Sequence, residues 1–225
     1  NAGVLKTRGL EWDLNVTVLK NNNFRWDVGF NGASIANDVV SLAPGVQNIS
    51  LGPFTTAEGR IQEGSPYGAI FANTLLRTER NNPQSPLVIN GATGLPIADP
   101  RGVMYVGNPN PRWTGGVTNT FSFKGLTLNF LLDIRRGGDF LSRVIGDIRR
   151  TGVGAETAEL PRFGADGLPL RNYVIDGLIG RLNTDGTVTT ERQNDVAISG
   201  QQYWGGLYAF NFPGMYVMEV NWLRL

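Results

Sequence analysis

Residues 115–138, GGVTNTFSFKGLTLNFLLDIRRGG, have the pattern of two β-strands joined by a two-residue turn. After Lys124-Gly125, every second residue over 126–134 is apolar, whereas Asn129 and Asp133 are among the residues between them. Successive side chains of a strand point to opposite faces of its sheet, so one face of this hairpin is apolar and the other is polar. Such a hairpin covers either the core of a soluble domain or the lipid of a membrane.

A second hairpin of the same kind lies near the start of the chain. The segments 9–19 and 24–34 alternate strictly between apolar and polar residues, and only KNNN at 20–23 separates them. This alternation with a short connection predicts an antiparallel pair. Acidic residues lie on the polar face of the first strand, with Arg25 and Asp27 on that of the second, so charged side chains can pair across the strands.

The composition is that of strands and turns rather than helices. Of 225 residues, 30 are glycine and 10% are aromatic, and charged residues make up 17%, against about 25% in soluble domains. The length allows one large β domain or two smaller ones. No run of about 18 apolar residues is present, so no transmembrane helix is expected. The net charge of +1 gives no electrostatic reason to expect nucleic acid as a partner.

The residue types restrict the possible chemistry. Cysteine and histidine are both absent, which excludes a disulfide, a thiolate nucleophile, an imidazole base and the usual zinc site. Paired carboxylates, a Ser–Lys pair or a carboxylate metal site are the remaining catalytic options. Asp133 and Asp139 flank Arg135-Arg136, and a charge cluster at a barrel lumen or rim explains them better than catalysis. We therefore expect no enzyme and no catalytic residue.

Three aspartates, Asp166, Asp176 and Asp185, each precede a glycine. Asp-Gly pairs commonly form turns, because the Asp side chain bonds to nearby backbone N–H groups. Calcium binding in the loops is the alternative interpretation. No phosphate-binding glycine loop or dinucleotide fingerprint is present, so we expect no cofactor.

Short turns alternate with very long connections, residues 34–111 and 138–213. Structureless connections beyond about 12–15 residues are uncommon in compact soluble domains, whereas outer-membrane barrels combine tight periplasmic turns with long extracellular loops. A tilted membrane strand needs roughly 9–11 residues, which fits the predicted strands 9–19, 24–34, 112–123 and 126–136. The sequence therefore predicts an all-β fold, an antiparallel transmembrane β-barrel segment with long extracellular loops.

The strand count predicts an incomplete barrel. If both short turns are periplasmic, the wall has five crossings, or seven if residues 59–76 and a neighbouring segment also span the membrane. Bacterial barrels normally have an even number of strands, at least eight. An open sheet edge in lipid leaves backbone groups unpaired at several kcal/mol each. The remaining strands must then lie in further chain or in other subunits.

The alternation also predicts which side chains face which side of the wall. We expect lipid contacts for Leu14, Val16, Val28, Phe30, Leu128, Phe130 and Leu132, and a lumen position for Asn15, Asp27, Asn129 and Asp133. Aromatic side chains favour the membrane interface, so Trp12, Phe24, Trp26, Phe121 and Phe123, taken to lie near the turn ends of their strands, are predicted to form a girdle. The loop aromatics Tyr203, Trp204, Tyr208, Phe210 and Phe212 pack the loop or present stacking surfaces to a ligand or a lid protein.

Residues 107–140, GNPNPRWTGGVTNTFSFKGLTLNFLLDIRRGGDF, resemble the SusC/RagA class of TonB-dependent outer-membrane transporters of Bacteroidota. That class carries a GNPNP segment before a GG pair, a YKG-like turn, in which Phe123 here replaces Tyr, and a strand ending in GG. TRGLEWDLNVTVL at 7–19 is similar to its GxE strand and RIQEGSPYGAIF at 60–71 to its EGxPxG segment. MYVMEVNWLRL at 215–225 is similar to its DxSYLRL element, with Glu, Asn and Trp at the less conventional positions.

The resemblance implies active import through the outer membrane, with the long loops facing the cell exterior. The nutrient would be an oligosaccharide or a peptide, TonB would act through a plug domain, and a SusD-like surface lipoprotein would close over the loops. The plug domain, the energy-coupling box and the usual C-terminal strand ending in an aromatic have no counterpart in these residues, so the chain resembles the late part of the barrel. Candidate substrate or lid contacts are Glu63, Tyr67, Phe71, Tyr203, Trp204, Tyr208 and Phe210.

Two other interpretations compete with this one. A surface-exposed β-rich protein that binds or adheres without transport would pair its apolar faces into a single core. A glycan-active enzyme would need two carboxylates about 5–10 Å apart in a cleft.

Overall fold

A computed structural model describes residues 3–54, 57–158, 170–207 and 216–225. None of the helices in these ranges is long and apolar enough to cross a membrane. The elements in chain order are β1 (Gly3–Lys20), β2 (Phe24–Leu42), β3 (Asn48–Phe54), β4 (Ala57–Gln62), β5 (Ala69–Ala72), β6 (Val88–Ile89), β7 (Met104–Gly107), β8 (Trp113–Phe123), β9 (Leu126–Arg136), β10 (Asp139–Leu141), α1 (Arg143–Thr151), a 3-10 turn (Ala155–Thr157), β11 (Arg171–Tyr173), β12 (Leu178–Leu182), β13 (Val188–Gln193), β14 (Ile198–Ser199), α2 (Gly200–Leu207), β15 (Val217–Glu219) and β16 (Trp222–Arg224).

The long strands form one sheet in the order β1-β2-β8-β9-β16, which we call the wall sheet. Every neighbouring pair in it is antiparallel. The four predicted strands are confirmed, although β1 and β2 are longer than expected, at 18 and 19 residues. Segment 59–76 contributes to a different sheet, so five strands and not seven make up the wall among the described residues. The sheet is open at β1 and at β16.

The register gives the wall sheet one apolar and one polar face. Directly opposed residues of antiparallel strands share a face, and the register pairs Val16 with Val28 and Thr17 with Asp27. Following this alternation across all four long strands places every predicted lipid-facing residue on one face, namely Leu14, Val16, Val28, Phe30, Leu128, Phe130 and Leu132. The opposite face carries Asn15, Asp27, Asn129 and Asp133, as predicted.

The turns of the wall sheet have the chemistry that their sequences predict. Lys124 and Gly125 have φ of 46° and 85°, the two positive values of a type I′ turn, which matches the twist of the flanking strands. At the other turn, Asn21 Oδ1 accepts hydrogen bonds from the backbone N–H groups of Asn23 and Phe24, at 3.0 and 2.8 Å. Both turns lie at the same end of the sheet, which keeps the two hairpins in register.

Two residues of the apolar face depart from expectation. Asn119 lies on this face between Val28 and Phe130, and Trp26 Nε1 donates a hydrogen bond of 3.2 Å to its Oδ1. An amide without a partner would be costly in an apolar environment, so this bond explains how the face tolerates it. The prediction that Trp12 lies near a turn end is wrong, because Trp12 lies in mid-strand, where its indole covers Gly32.

The other predicted girdle residues do lie at the turn end of the wall sheet, where Phe123 pairs with Phe24 in the register and the rings of Phe24, Trp26 and Phe121 form a cluster. The ring of Phe121 lies 5.3 Å from that of Trp26, 6.3 Å from that of Phe24 and 6.0 Å from that of Phe130. Contacts of this kind stabilise neighbouring strands beyond the area that they bury. The cluster therefore ties β2, β8 and β9 together beside their turns.

The described parts of the long connections form sheets and helices, and we call these parts, within residues 43–112 and 137–221, the loop body. It contains a four-stranded sheet, β3-β4-β5-β7, a three-stranded sheet, β13-β12-β6, and two pairs, β11-β14 and β10-β15. In the three-stranded sheet, Val88–Ile89 pairs in parallel with Leu178–Ile179. A hydrophobic core forms around this pairing from Leu75, Ile89, Tyr173, Ile175, Ile179 and Ile198.

Candidate functional site

The polar face of the wall sheet forms a cleft of about 420 Å³ across β1, β2 and β8. Asp27 lines this cleft and receives hydrogen bonds from Thr17 Oγ1 (2.7 Å) and from Arg25 Nε (2.6 Å). Arg25 thus pairs along its own strand, and the cross-strand charge pairing that the sequence suggested is not formed there. Hydroxyls, amides and carboxylates alternate over this surface, which suits water and polar solutes. The lining includes Asp13, Asn15, Thr17, Arg25, Asp27, Asn31, Thr118 and Thr120.

Structural contacts engage three charged residues at and just beyond the C-terminal end of β9, namely Asp133, Arg135 and Asp139. Asp133 Oδ2 accepts hydrogen bonds from Arg224 Nε and Nη2 at 3.0 and 2.7 Å, which fixes β16 against β9. Asp139 Oδ2 accepts a 2.7 Å bond from the backbone N–H of Asn108. Arg135 donates to the carbonyl oxygens of Gly137 and Pro109, both at 3.3 Å. The interpretation of this cluster as a feature of the barrel lumen or rim stays a prediction.

The segment 108–111 and the Gly137-Gly138 pair form a joint between the wall sheet and the loop body. Asp139 N donates to Asn108 O at 2.6 Å, and Gly137 N donates to Asn221 Oδ1 at 2.9 Å. Both glycines have positive φ, 77° and 92°, and a Cβ on Gly138 would lie 2.9 Å from Pro109 O. A side chain is therefore excluded at this close approach. Segment 108–111 and the Gly137-Gly138 pair thus attach the loop body to the end of the wall sheet.

The candidate residues in segment 60–71 differ in exposure. Glu63 is exposed, and Tyr67 is 43% exposed with its backbone held by Asn37 and Asn110. Phe71 is only 5% exposed, and its ring meets that of Tyr105 edge-on at 5.9 Å. Glu63 and Tyr67 are thus accessible at the surface, whereas Phe71 packs between β5 and β7.

The aromatic residues of α2 pack into the loop body. The ring of Tyr203 lies 5.2 Å from that of Tyr173 and 5.1 Å from that of Trp204. Trp204 is 6% exposed, so packing rather than direct recognition describes its position. The candidates Tyr208 and Phe210 lie outside the described residues, as does Phe212. The two candidate groups thus lie on different elements of the loop body. Glu63, Tyr67 and Phe71 lie in or between β4 and β5 of the four-stranded sheet, whereas Tyr203 and Trp204 lie on α2, which packs against β11 and β14.

Of the two Asp-Gly pairs in the described residues, Asp185-Gly186 forms a turn as predicted, whereas the side chain of Asp176 bonds to a distant residue. Asp185 Oδ1 accepts bonds from the N–H and Oγ1 of Thr187, at 2.9 and 2.6 Å, and these bonds lower the pKa of Asp185. Asp176 accepts a 2.7 Å bond from Gln193 Nε2, and Asp166 lies outside the described residues. No three acidic side chains come together as a metal site in the described part of the chain.

Sequence reasoning missed a buried charge cluster around Asp99, whose side chain is 1% exposed. Arg101 donates to both carboxylate oxygens, each at 2.8 Å, and Arg80 Nε lies 3.3 Å from Oδ2. Burial opposes ionisation of Asp99, but the bonds from Arg101 and the charges of Arg101 and Arg80 outweigh it and lower its pKa. Arg101 also donates to Gly186 O at 3.3 Å. The only sequence signal was one aspartate two residues before an arginine.

No protein-family model matches the chain. TonB-dependent receptor P3 of Formosa agariphila is 22% identical over 182 residues, covering 71% of this chain and 18% of that protein. TonB-dependent receptor P26 of the same organism is 25% identical over 219 residues, covering 82% of this chain and 22% of that protein. The chain is similar to a part of TonB-dependent receptors. It spans about a fifth of the length of these relatives.

A solved structure of the RagAB peptide transporter matches the fold. The superposition covers 100% of this chain and 22% of that chain, with a TM-score of 0.51 and 14% sequence identity. At this identity the likeness concerns the fold alone. It confirms the predicted class, an all-β, antiparallel barrel segment with long loops, whose sheet is not closed by the described residues.

Proposed function

We propose that this chain forms part of the wall and of the external loops of a SusC/RagA-like TonB-dependent transporter in a bacterial outer membrane. One observation carries the proposal: over residues 10–16, 24–30, 117–123 and 126–134 the wall sheet has an apolar face, interrupted by Asn119, and an opposite polar face, and both of its edges are open among the described residues. Only a closed barrel satisfies the backbone of such a sheet in lipid. The apolar face then contacts lipid and the polar cleft around Asp27 lines the lumen.

The two short turns set the orientation that we propose. In barrels of this kind the tight turns are periplasmic and the long connections are extracellular. The turns at 21–23 and 124–125 then lie at the periplasmic end, beside the aromatic cluster of Phe24, Trp26 and Phe121. The loop body lies outside the cell, where it is available to a substrate and to a SusD-like surface lipoprotein.

The activity that we propose is nutrient import without catalysis. TonB would supply the force through a plug domain, and the nutrient would be an oligosaccharide or a peptide. The similarity to TonB-dependent receptors supports the transport class, and the fold shared with a peptide transporter supports a peptide as one candidate. The hydroxyl, amide and carboxylate groups of the polar cleft provide a hydrophilic surface along the transport path.

Uptake by living cells tests this function. Cells with the full-length protein should accumulate labelled oligosaccharides or oligopeptides, and deletion of its gene or of tonB should abolish the accumulation. A protein that only binds or adheres would hold the ligand at the surface, and loss of TonB would change nothing. TonB-independent retention of all ligand at the cell surface would overturn the transport proposal in favour of adhesion.

A further inference from the structure

The loop body contains a pocket of about 450 Å³ between residues 74–87 and strand β7. Its apolar lining comes from Leu75, Pro83, Leu87, Met104 and Val106, and its polar lining from Thr74, Arg77, Arg80, Asn81 and Tyr105. This volume lies within the roughly 300–1,000 Å³ of ordinary small-molecule sites, which combine apolar walls with a few polar groups.

The charges around the pocket are unbalanced. No carboxylate is part of its lining. Arg80 shares Asp99 with Arg101, so two guanidinium groups face one buried carboxylate. Arg77 forms no ion pair with any acidic side chain of the described ranges, and its hydrogen bond is from Nη1 to the carbonyl oxygen of Ser85. Burial alone lowers the pKa of Arg77, as expected for a cation that loses water without gaining an anion.

Arg77 retains donors for a ligand. A guanidinium has five N–H groups in a planar fork that matches a carboxylate, and Ser85 accepts from Nη1 alone. Leu75, which lines the same pocket, is buried and belongs to the hydrophobic core. The site therefore combines an uncompensated cation with apolar walls of limited volume.

We propose that this pocket binds a small molecule with a compact apolar body and one carboxylate, and that Arg77 holds the carboxylate. The ligand supplies the anion that Arg77 lacks, and its apolar part fills the space beside Leu87 and Met104. The proposal goes beyond the import function, since the site lies outside the wall sheet and its ligand need not be a transported one. An aromatic amino-acid derivative and a short fatty acid share this chemistry.

Binding to the full-length protein in detergent tests the proposal. Isothermal titration with N-acetylphenylalanine and with octanoate should show saturable binding of at least one of them, and the one that binds identifies the source of the ligand. The uncharged amide of the binding probe should bind at least tenfold more weakly, because it cannot form the charge-assisted bonds to Arg77. This comparison needs no variant, so it holds whatever a substitution does to folding.

Two substitutions locate the binding site. Arg77→Gln should weaken binding of the carboxylate at least tenfold, whereas Arg77→Lys, which keeps the charge, should retain more of it. Arg181→Gln is the matched control, because this exposed arginine of β12 lies outside the pocket and pairs loosely with Glu191 at 3.8 Å. The control should leave binding unchanged. The proposal is overturned if neither carboxylate binds, if the amide binds equally well, or if Arg77→Gln has no more effect than Arg181→Gln.

Discussion

Large apolar side chains are exposed in the wall sheet but buried in the loop body. In the wall sheet, Leu14 and Leu128 expose 54% and 60% of their surface within this chain. In the loop body, Leu76 and Ile89 are fully buried. Folding of the chain alone therefore gives the loop body its core, whereas the apolar face of the wall sheet needs a partner from outside the chain. In our proposal that partner is lipid.

The largest expected effect is the difference in stability loss when one leucine in each region is replaced by alanine. Leu76→Ala should destabilise the loop body by about 2–5 kcal/mol, because it leaves a cavity in a close-packed interior. Leu14→Ala should cost much less, since detergent or lipid fills the space. Hydrogen exchange of the backbone amides of residues 75–98 measures the first effect. Unchanged protection in Leu76→Ala would contradict an independent core in the loop body.

A charged side chain placed on the apolar face tests whether that face of the wall sheet contacts lipid. Leu14→Arg should destabilise the protein in a bilayer by about 2–4 kcal/mol, the cost of arginine on the lipid face near mid-membrane. Asn15→Arg is the matched control, and it should cost less because its neighbour on the polar face, Asp13, is acidic. Urea unfolding in lipid vesicles compares the two. Equal losses would mean that the faces are not distinct.

Acid should loosen the loop body through Asp99. The pKa of Asp99 is lower in the folded protein than its ordinary value, so the unfolded chain takes up the proton first. Its contribution, about 1–3 kcal/mol for a buried carboxylate bonded to charged groups, is complete above the ordinary pKa of about 3.9. It is lost as the pH falls from there through the lower folded pKa. Asp99→Asn should remove this pH dependence, which hydrogen exchange between pH 5 and 2 can measure.

The smallest expected effect compares one turn from each region. Gly125 and Gly186 have φ of 85° and 84°, and a Cβ on either would meet nothing within 4 Å. Alanine at each position should therefore cost only about 1 kcal/mol, for the left-handed backbone. Thermal unfolding of Gly125→Ala and Gly186→Ala should show similar small decreases. A much larger loss at Gly125 would indicate that this turn also determines how the wall hairpin assembles.

The sequence predicted the wall sheet well because its strands are long and their alternation is local. The periodicity of residues 126–134 and the Lys124-Gly125 turn were sufficient for the register and the two faces. It did not reveal the place of Asn119, since its partner Trp26 is 93 positions away in the chain. The position of Trp12 was predicted wrongly for a related reason. Alternation gives the face on which a side chain lies, but not how far along the strand it lies from the turn.

The loop body could not be predicted in the same way. Its strands are short, and Val88–Ile89 pairs with Leu178–Ile179 across a long stretch of intervening chain. No period of two develops over so few residues, and such distant pairing leaves no local pattern. The roles of the candidate site residues could not be predicted for the same reason. Burial decides whether Phe71 and Trp204 pack in the interior or are accessible to a ligand, and burial depends on these long-range contacts.

The central claim is that the two faces of the wall sheet meet different environments, lipid and water. The chain has no cysteine, so single cysteines at Leu14, Asn15, Leu128 and Asn129 can carry a bimane label in the full-length protein, with any cysteine elsewhere replaced. In vesicles of lipids brominated in their chains, the labels at positions 14 and 128 should be strongly quenched and those at 15 and 129 should not. Equal quenching at neighbouring positions, or the reverse order, would contradict the account.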